Sequence, residues 1–511
     1  MTRRCNARLA LMLALLLLLL VTVAPGWAGT WSLDVKDTTL TNGMRVLIVE
    51  RHNVPLISCQ MWVNVGSVND ALGATGIAHL HEHLMFKGTR RVGTRSYKDE
   101  VPLMEREDEL AAMIDRELGK GARAGSRQIR KWREEVTELE NKQREYIVPS
   151  QFDAYYSSAG ASGTNAMTGP DSTTYVVTIP SNKLELFMWM ESDRFAGPVF
   201  REFYSERDVV TEERKQTVED DPAGAYDELL AEMVYPETPY GFEIGGRMSD
   251  VTRVTRPEAY AFFGRYYVPN NMCMIMVGDV KAEDAFRLAE RYFGRIKRAA
   301  DPPPLRPTER LNIGQRRIEM KAKARPAVDI AFTGTTFGSK DDAVFDVISG
   351  ILSGDSGRLY KDLVIDKHIA LNVGGGNDAR KIAGSFLFRA TPAPTATHQQ
   401  VENALWAQAE KLKIEPVDQH ELDKIKKQVR AGVIRSVVSS DTLAYMLGNY
   451  WVFTGDWHSL VEYIEKVAAV TADDVMRVAD KYFNKDNSTV GWLVQEEGGI
   501  SQWERELYES F

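Results

Sequence analysis

The sequence predicts an α+β fold built from two similar halves, with a helical hairpin inserted in the first. Three observations carry that expectation. A proline-rich stretch at 297–308 divides the chain beyond its N-terminal segment into two parts of similar length. In both parts, strand-like runs bounded by turn residues alternate with runs of helical period. The run Arg325-Pro326-Ala327-Val328-Asp329-Ile330-Ala331-Phe332 also echoes Val54-Pro55-Leu56-Ile57-Ser58-Cys59-Gln60-Met61, and a helical run follows each. That echo points to an internal duplication.

The elements follow in order. Arg3, Arg4 and Arg8 precede an apolar run from Leu9 to about Ala24, and Ala28 closes a small-residue site. This reads as a signal peptide over 1–28, which predicts a periplasmic or secreted chain with no later membrane span. Residues 38–50 read as a hairpin around Asn42-Gly43, and 55–65 as the next strand. A helix is expected from near Gly76 to just before Lys87-Gly88. Residues 99–148 are dense in Glu, Lys and Arg. Ile129, Trp132, Val136 and Leu139 step at helical spacing against a partner stripe at Leu110, Met113 and Ile114, so an antiparallel helical hairpin is expected. An edge strand and its neighbour follow at 160–179, then helices at 181–194 and 202–219. The first domain is expected over 29–296, a linker over 297–315 and the second domain over 316–511.

At 511 residues the chain is too long for one core. Its net charge of −9 argues against a nucleic-acid binder. Of the three cysteines, Cys5 falls in the signal segment. Cys59 and Cys273 lie in strand-like runs, where one disulfide or two buried thiols are open alternatives.

The chemistry concentrates at His79-Leu80-His81-Glu82-His83. On a helix, His79 and His83 project from one face a turn apart, a spacing that lets two imidazoles hold one Zn²⁺. Glu82 stands where a carboxylate can take a proton from water at the metal. His81 is rotated about 200° from the pair, cannot share their face, and is expected either to pack or to support the site from behind. Catalytic zinc usually takes a third protein ligand. Glu206 and Glu213, seven apart, share one helix face, and Glu212 points elsewhere. Periodicity does not choose between 206 and 213.

Gly76 to Thr89 closely resembles the active-site signature of the pitrilysin and insulin-degrading-enzyme family, which includes mitochondrial processing peptidase. Asn165-Ala166-Met167-Thr168, Glu206 to Glu213, Pro239-Tyr240-Gly241 and Tyr266 to Asn271 extend the resemblance over almost the whole mature chain. It implies two homologous domains, each a mixed, mostly antiparallel sheet with helices packed on one face. It implies zinc on His79, His83 and Glu213, Glu82 as general base, and Glu206 as an outer carboxylate. It also implies that peptide docks as an added strand at Asn165, Ala166 and Thr168. The implied activity is that of a zinc metalloendopeptidase acting on extended or unfolded peptides in a closed chamber. The alternative is a metal-binding but non-catalytic scaffold subunit.

The chain departs from the family in one respect that bears on assembly. Many members carry an Arg and a Tyr, seven apart, in the second domain. Aligned on Arg358-Leu359, those positions are Val364 and Leu371. A dimer is therefore expected, with two alternatives open: a heterodimer whose paralogue supplies the Arg/Tyr pair, and a homodimer or single chain that binds substrate without it.

Overall fold

The computed structural model describes residues 32–496, so the signal-peptide expectation lies outside the described residues. Within these, residues 35–496 pack as one compact unit. Its first half contains β1 (Lys36–Thr39), β2 (Arg45–Glu50), β3 (Leu56–Val63), α1 (Ile77–Leu84), α2 (Tyr97–Leu118), α3 (Ser126–Gln143), α4 (Gln151–Ser158), β4 (Ser162–Thr168), β5 (Thr173–Pro180), α5 (Leu184–Ala196), α6 (Phe203–Arg214), α7 (Pro222–Val234), α8 (Arg256–Tyr266), β6 (Met272–Gly278) and α9 (Ala282–Phe293). After a stretch without helix or strand come β7 (Arg316–Ala322), β8 (Ala327–Thr333), α10 (Asp342–Leu352), β9 (Ala370–Ala379), β10 (Gly384–Pro392), α11 (His398–Ile414), α12 (Gln419–Ser436), α13 (Ser440–Thr454), α14 (Ser459–Ala469), α15 (Ala472–Tyr482) and β11 (Ser488–Gln495).

The two sheets, ordered β1-β2-β6-β3-β5-β4 and β7-β11-β8-β10-β9, match over five strands, with β1 added at the edge of the first. In each, one pair is parallel (β2/β6 and β7/β11) and the pairings at the centre are antiparallel. β3 and β6 are buried along nearly their whole length, so both faces of that sheet are covered. The cover exceeds the expected one-sided helix layer. α13 of the second half packs on β3 and β6 of the first, and α7 of the first packs on β7, β8 and β11 of the second. A glycine permits the close approach at each crossing. A Cβ on Gly448 of α13 would lie 2.1 Å from the Trp62 ring, and one on Gly491 of β11 would lie 2.3 Å from the Tyr226 hydroxyl. Polar bonds pin both contacts: Gln60 Nε2 donates to the Asp441 carbonyl at 3.0 Å, and Tyr226 donates to buried Asp329 at 2.7 Å.

Cys59 and Cys273 are free, buried thiols. Cys59 pairs across the sheet with Met276 and Cys273 with Trp62. Strand alternation therefore puts the two sulfurs on opposite faces, which forbids a bond between them.

The hairpin forms as expected, with α2 and α3 packed against each other and Leu110 and Ile129 buried. Its root is tied down by buried ions. Arg201 meets Glu100 at 2.9 Å, and Arg256 bonds Asp108 at 3.0 Å and Glu107 at 2.5 Å.

A candidate metal centre

The motif helix is short, and its N-terminus is built by contacts distant in sequence. Asp70 accepts from the Gly76 and Ala78 amides at 2.7 and 3.2 Å, satisfying two of the free donors of the first turn. Burial nonetheless raises the Asp70 carboxyl well above its ordinary range. Gly76 sits at φ 89°, and a Cβ there would meet the Gly245 carbonyl at 2.5 Å, so glycine lets the 243–247 loop close on the helix end. The helix ends at Leu84, earlier than the sequence suggested. Phe86 and Lys87 then make short turn bonds to His83 and Leu84. Gly88, at φ 93°, turns the chain four residues beyond the end of the helix rather than capping it.

His79 Nε2 faces Glu213 at 3.9 Å and His83 Nε2 faces it at 3.6 Å, and the donor atoms of all three lie within 4.8 Å of one another. The geometry thus separates the two glutamates that periodicity left paired. Glu206 lies beside the opposite nitrogen, with Oε1 3.1 Å from His83 Nδ1, and Lys87 holds its other oxygen at 2.5 Å. Glu213 is the half-exposed member, one residue before the end of α6, where the backbone widens into a π turn over Lys215–Glu219. Glu212 points away, 3.9 Å from Lys215.

Electrostatics follow this arrangement. Burial and the neighbouring His83 hold His79 below the usual imidazole range, against the pull of Glu213. Burial would lower His83 too, but Glu206, Glu82 and Glu213 raise it. Burial would raise Glu206, and His83 with Lys87 carries it below the ordinary carboxylate range. Glu82 is lifted by burial, opposed by a 2.5 Å bond from the Thr168 hydroxyl and by His83. His81 is fully enclosed among Phe200, Phe262, Phe263 and Tyr267, and burial drives its pKa down to about 3, which leaves it neutral.

The donor set suits a borderline metal such as Zn²⁺: two imidazoles and a carboxylate would hold it, and Glu82 stands on the same helix beside them. A carboxylate behind one imidazole is the usual way a ligating ring is oriented. His79 Nδ1 lacks such support, being buried without a hydrogen-bond partner.

β4 is the free edge of the first sheet. Glu82 sits where two clefts meet beneath it. One, of about 630 Å³, is lined by His83, Phe86, Lys87, Arg144 and Asn165. The other, of about 370 Å³, is lined by His79, Ala166, Met167, Thr168 and Glu213. Asn165 is exposed and Ala166 buried, whereas Thr168 contacts the general-base candidate itself. Thr168 is expected from the sequence to meet substrate, and its bond to Glu82 adds a second contact, while sequence pattern alone assigns no role to Lys87 or Asp70. Lys87 stands inside the signature, at the i+4 position from His83, and that was its only signal.

Two family models match the chain. One is described as Insulinase (Peptidase family M16), over residues 45–117, and the other as Peptidase M16 inactive domain, over 253–429. A protein named zinc protease PqqE from Helicobacter pylori is 26% identical over 90% of this chain and 92% of its own length. A probable mitochondrial-processing peptidase subunit beta from Arabidopsis thaliana is 21% identical over 89% and 77%. Among solved structures, a protease from Helicobacter pylori superposes with a TM-score of 0.75 at 25% identity, covering 90% of this chain and all of that one. The periplasmic protease PqqL from Escherichia coli gives 0.66 at 16% identity, covering 94% of this chain and 50% of its own.

Proposed function

The chain belongs to the peptidase M16 (insulinase) family, and from that premise we propose that it is an exported zinc endopeptidase cleaving extended or unfolded peptides in a closed chamber. The observation that carries the reading is the convergence of His79, His83 and Glu213 beside Glu82, directly below an unpaired strand edge. His79, His83 and Glu213 would hold the ion. When bound, Zn²⁺ supplies Lewis acidity, polarising the scissile carbonyl and making water a better nucleophile near neutral pH. Glu82 takes the proton of the attacking water and delivers it to the leaving amine. Its raised affinity for a proton suits both duties. Thr168 fixes the carboxylate rotamer through Oε2, and Glu206, anchored by Lys87, turns His83 so that Nε2 faces the site. Substrate would lie along β4, its backbone bonding to the free edge at Asn165 to Thr168, with side chains dropping into the two clefts.

A second chain would complete the chamber. Val364 packs against the core of the second half and Leu371 is exposed and apolar, so neither can grip a peptide backbone. A paralogue carrying the missing Arg and Tyr is the proposed partner.

The test measures zinc content and hydrolysis of a mixed peptide pool by the mature chain alone, with Glu82→Gln as control. Stoichiometric zinc with activity that the variant loses supports a self-sufficient peptidase and overturns the two-chain proposal. Zinc without activity, restored by a co-purified paralogue, supports it. Zinc without hydrolysis under either condition leaves the scaffold reading and overturns catalysis.

A further inference from the structure

The far end of the hairpin carries a charge pattern that its own fold does not want. From residue 116 to 133 there are seven basic side chains, Arg116, Lys120, Arg123, Arg127, Arg130, Lys131 and Arg133, and one acidic one, Glu117. All seven are exposed. Lys120 pairs with Glu117 at 2.6 Å, and among the described residues none of the other six has a carboxylate within ion-pair distance. Asp115 and Glu134 stand exposed at the shoulders, unpaired with any of them. This tip sits on a chain whose net charge is −9.

Helix electrostatics do not explain it. Arg116 and Lys120 suit the C-terminal end of α2. Arg127, Arg130 and Lys131 occupy the opening turns of α3, where the backbone favours anions and no acidic residue is present. Arg127 and Lys131 are i and i+4, and Arg127 and Arg130 are i and i+3, spacings at which like charges repel. A merely solvated hairpin would place glutamates there. The arrangement costs the free protein stability that a counter-surface would return.

We infer that the hairpin tip is a docking surface for a membrane rich in anionic lipid headgroups. Charge complementarity selects an anionic partner, and the absence of apolar anchors selects the kind. None of the large exposed hydrophobic side chains among the described residues falls between 97 and 143, and Trp132, the one aromatic residue from 116 to 133, is half-buried, so the tip offers little of the apolar anchoring of a protein interface. A diffuse sheet of phosphates needs only clustered lysine and arginine. The exported location proposed above would put such a surface within reach. The root of the hairpin is held rigidly through Glu100, Glu107 and Asp108, so docking would also orient the molecule. The 18 residues of α3 place the tip about 27 Å from the cleft lined by Arg144 and Ile147, which would stand clear of the headgroups.

The experiment is co-sedimentation of the mature full chain with vesicles of phosphatidylcholine alone or with phosphatidylglycerol, at low and high salt. Binding is expected only to the mixed vesicles, and salt raised to about 1 M should abolish it. The variant R123Q/R127Q/R130Q/K131Q should lose about tenfold or more in partitioning while keeping its zinc content. Its melting temperature should hold or rise slightly, because the like-charge contacts are gone. Failure of the unmodified chain to bind phosphatidylglycerol vesicles at low salt overturns the inference, and so does a variant that binds equally well. Binding to soluble polyphosphate or DNA but not to vesicles overturns it too, since the partner would then be another polyanion.

Discussion

The two halves place an i, i+4 pair of polar side chains on equivalent helices and treat them in opposite ways. On α1, His79 and His83 turn their Nε2 atoms toward Glu213 at 3.9 and 3.6 Å, too far for a direct hydrogen bond. On α10, Asp342 and Asp346 have every carboxylate oxygen engaged. Asn377 on β9 donates to both, at 2.8 and 3.0 Å, the Gly338 amide reaches Asp342 at 2.7 Å, and Tyr463 reaches Asp346 at 2.7 Å. Both helices lie under the same edge of equivalent sheets. What distinguishes a centre from a structural network here is which acceptors the fold leaves unpaired.

The largest test of that contrast is Glu82→Gln. Hydrolysis should fall by about 10²–10⁴-fold while zinc content holds, read by peptide turnover and elemental analysis of one preparation. Loss of zinc as well would mean that Glu82 belongs to the ligand set, and the contrast would have to be redrawn. Removing the support behind a ligand should matter less. Glu206→Leu is expected to weaken zinc affinity by about 10–100-fold in a chelator competition, since His83 loses its orienting acceptor. An unchanged affinity would show that Lys87 and Glu206 serve only each other.

The crossing helices come next. Gly448→Ala pushes a methyl into the Trp62 ring and should destabilise the whole chain by about 1–3 kcal/mol in denaturant unfolding, in a single transition. Two separated transitions would show that the halves fold independently.

The smallest effect tests the closed network. Burial, with Asp346 nearby, raises Asp342 to about 6 from 3.8. A raised carboxyl pKa means that the folded state holds the proton more tightly than the unfolded one. The cost is therefore absent below about pH 4, grows through pH 6 and is complete above it, amounting to at most about 3 kcal/mol. Asp342→Asn should flatten the fall in melting temperature between pH 4 and 7, with little change at pH 4. A variant as pH-sensitive as the parent would assign the titration elsewhere.

Much of this was legible in the sequence, for reasons particular to each element. The His79/Glu82/His83 spacing carries its own geometry, because a helix fixes where i and i+4 point. The hairpin announced itself through two apolar stripes flanking Gly119–Ser126, and the strand edges through turn residues and alternation. Glu206 and Glu213 could not be separated by period, since a shared face says nothing of which nitrogen each will meet. The roles of Lys87, Asp70 and Thr168 depend on contacts of one kind, between side chains brought together by different elements. The covering of each sheet by a helix of the other half had no local signature at all: Gly448 and Gly491 read as ordinary glycines until the ring or hydroxyl beside them is seen.

That exchange of helices sets the order in which the chain can be completed. Gln60 waits for Asp441, 381 positions later, before the outer face of β3 is sealed. During vectorial synthesis the first sheet therefore emerges with Trp62 uncovered, and a truncated first half lacks the helix that covers it. The sheet that carries the motif helix is sealed on its outer face only when α13, close to the end of the described chain, has arrived.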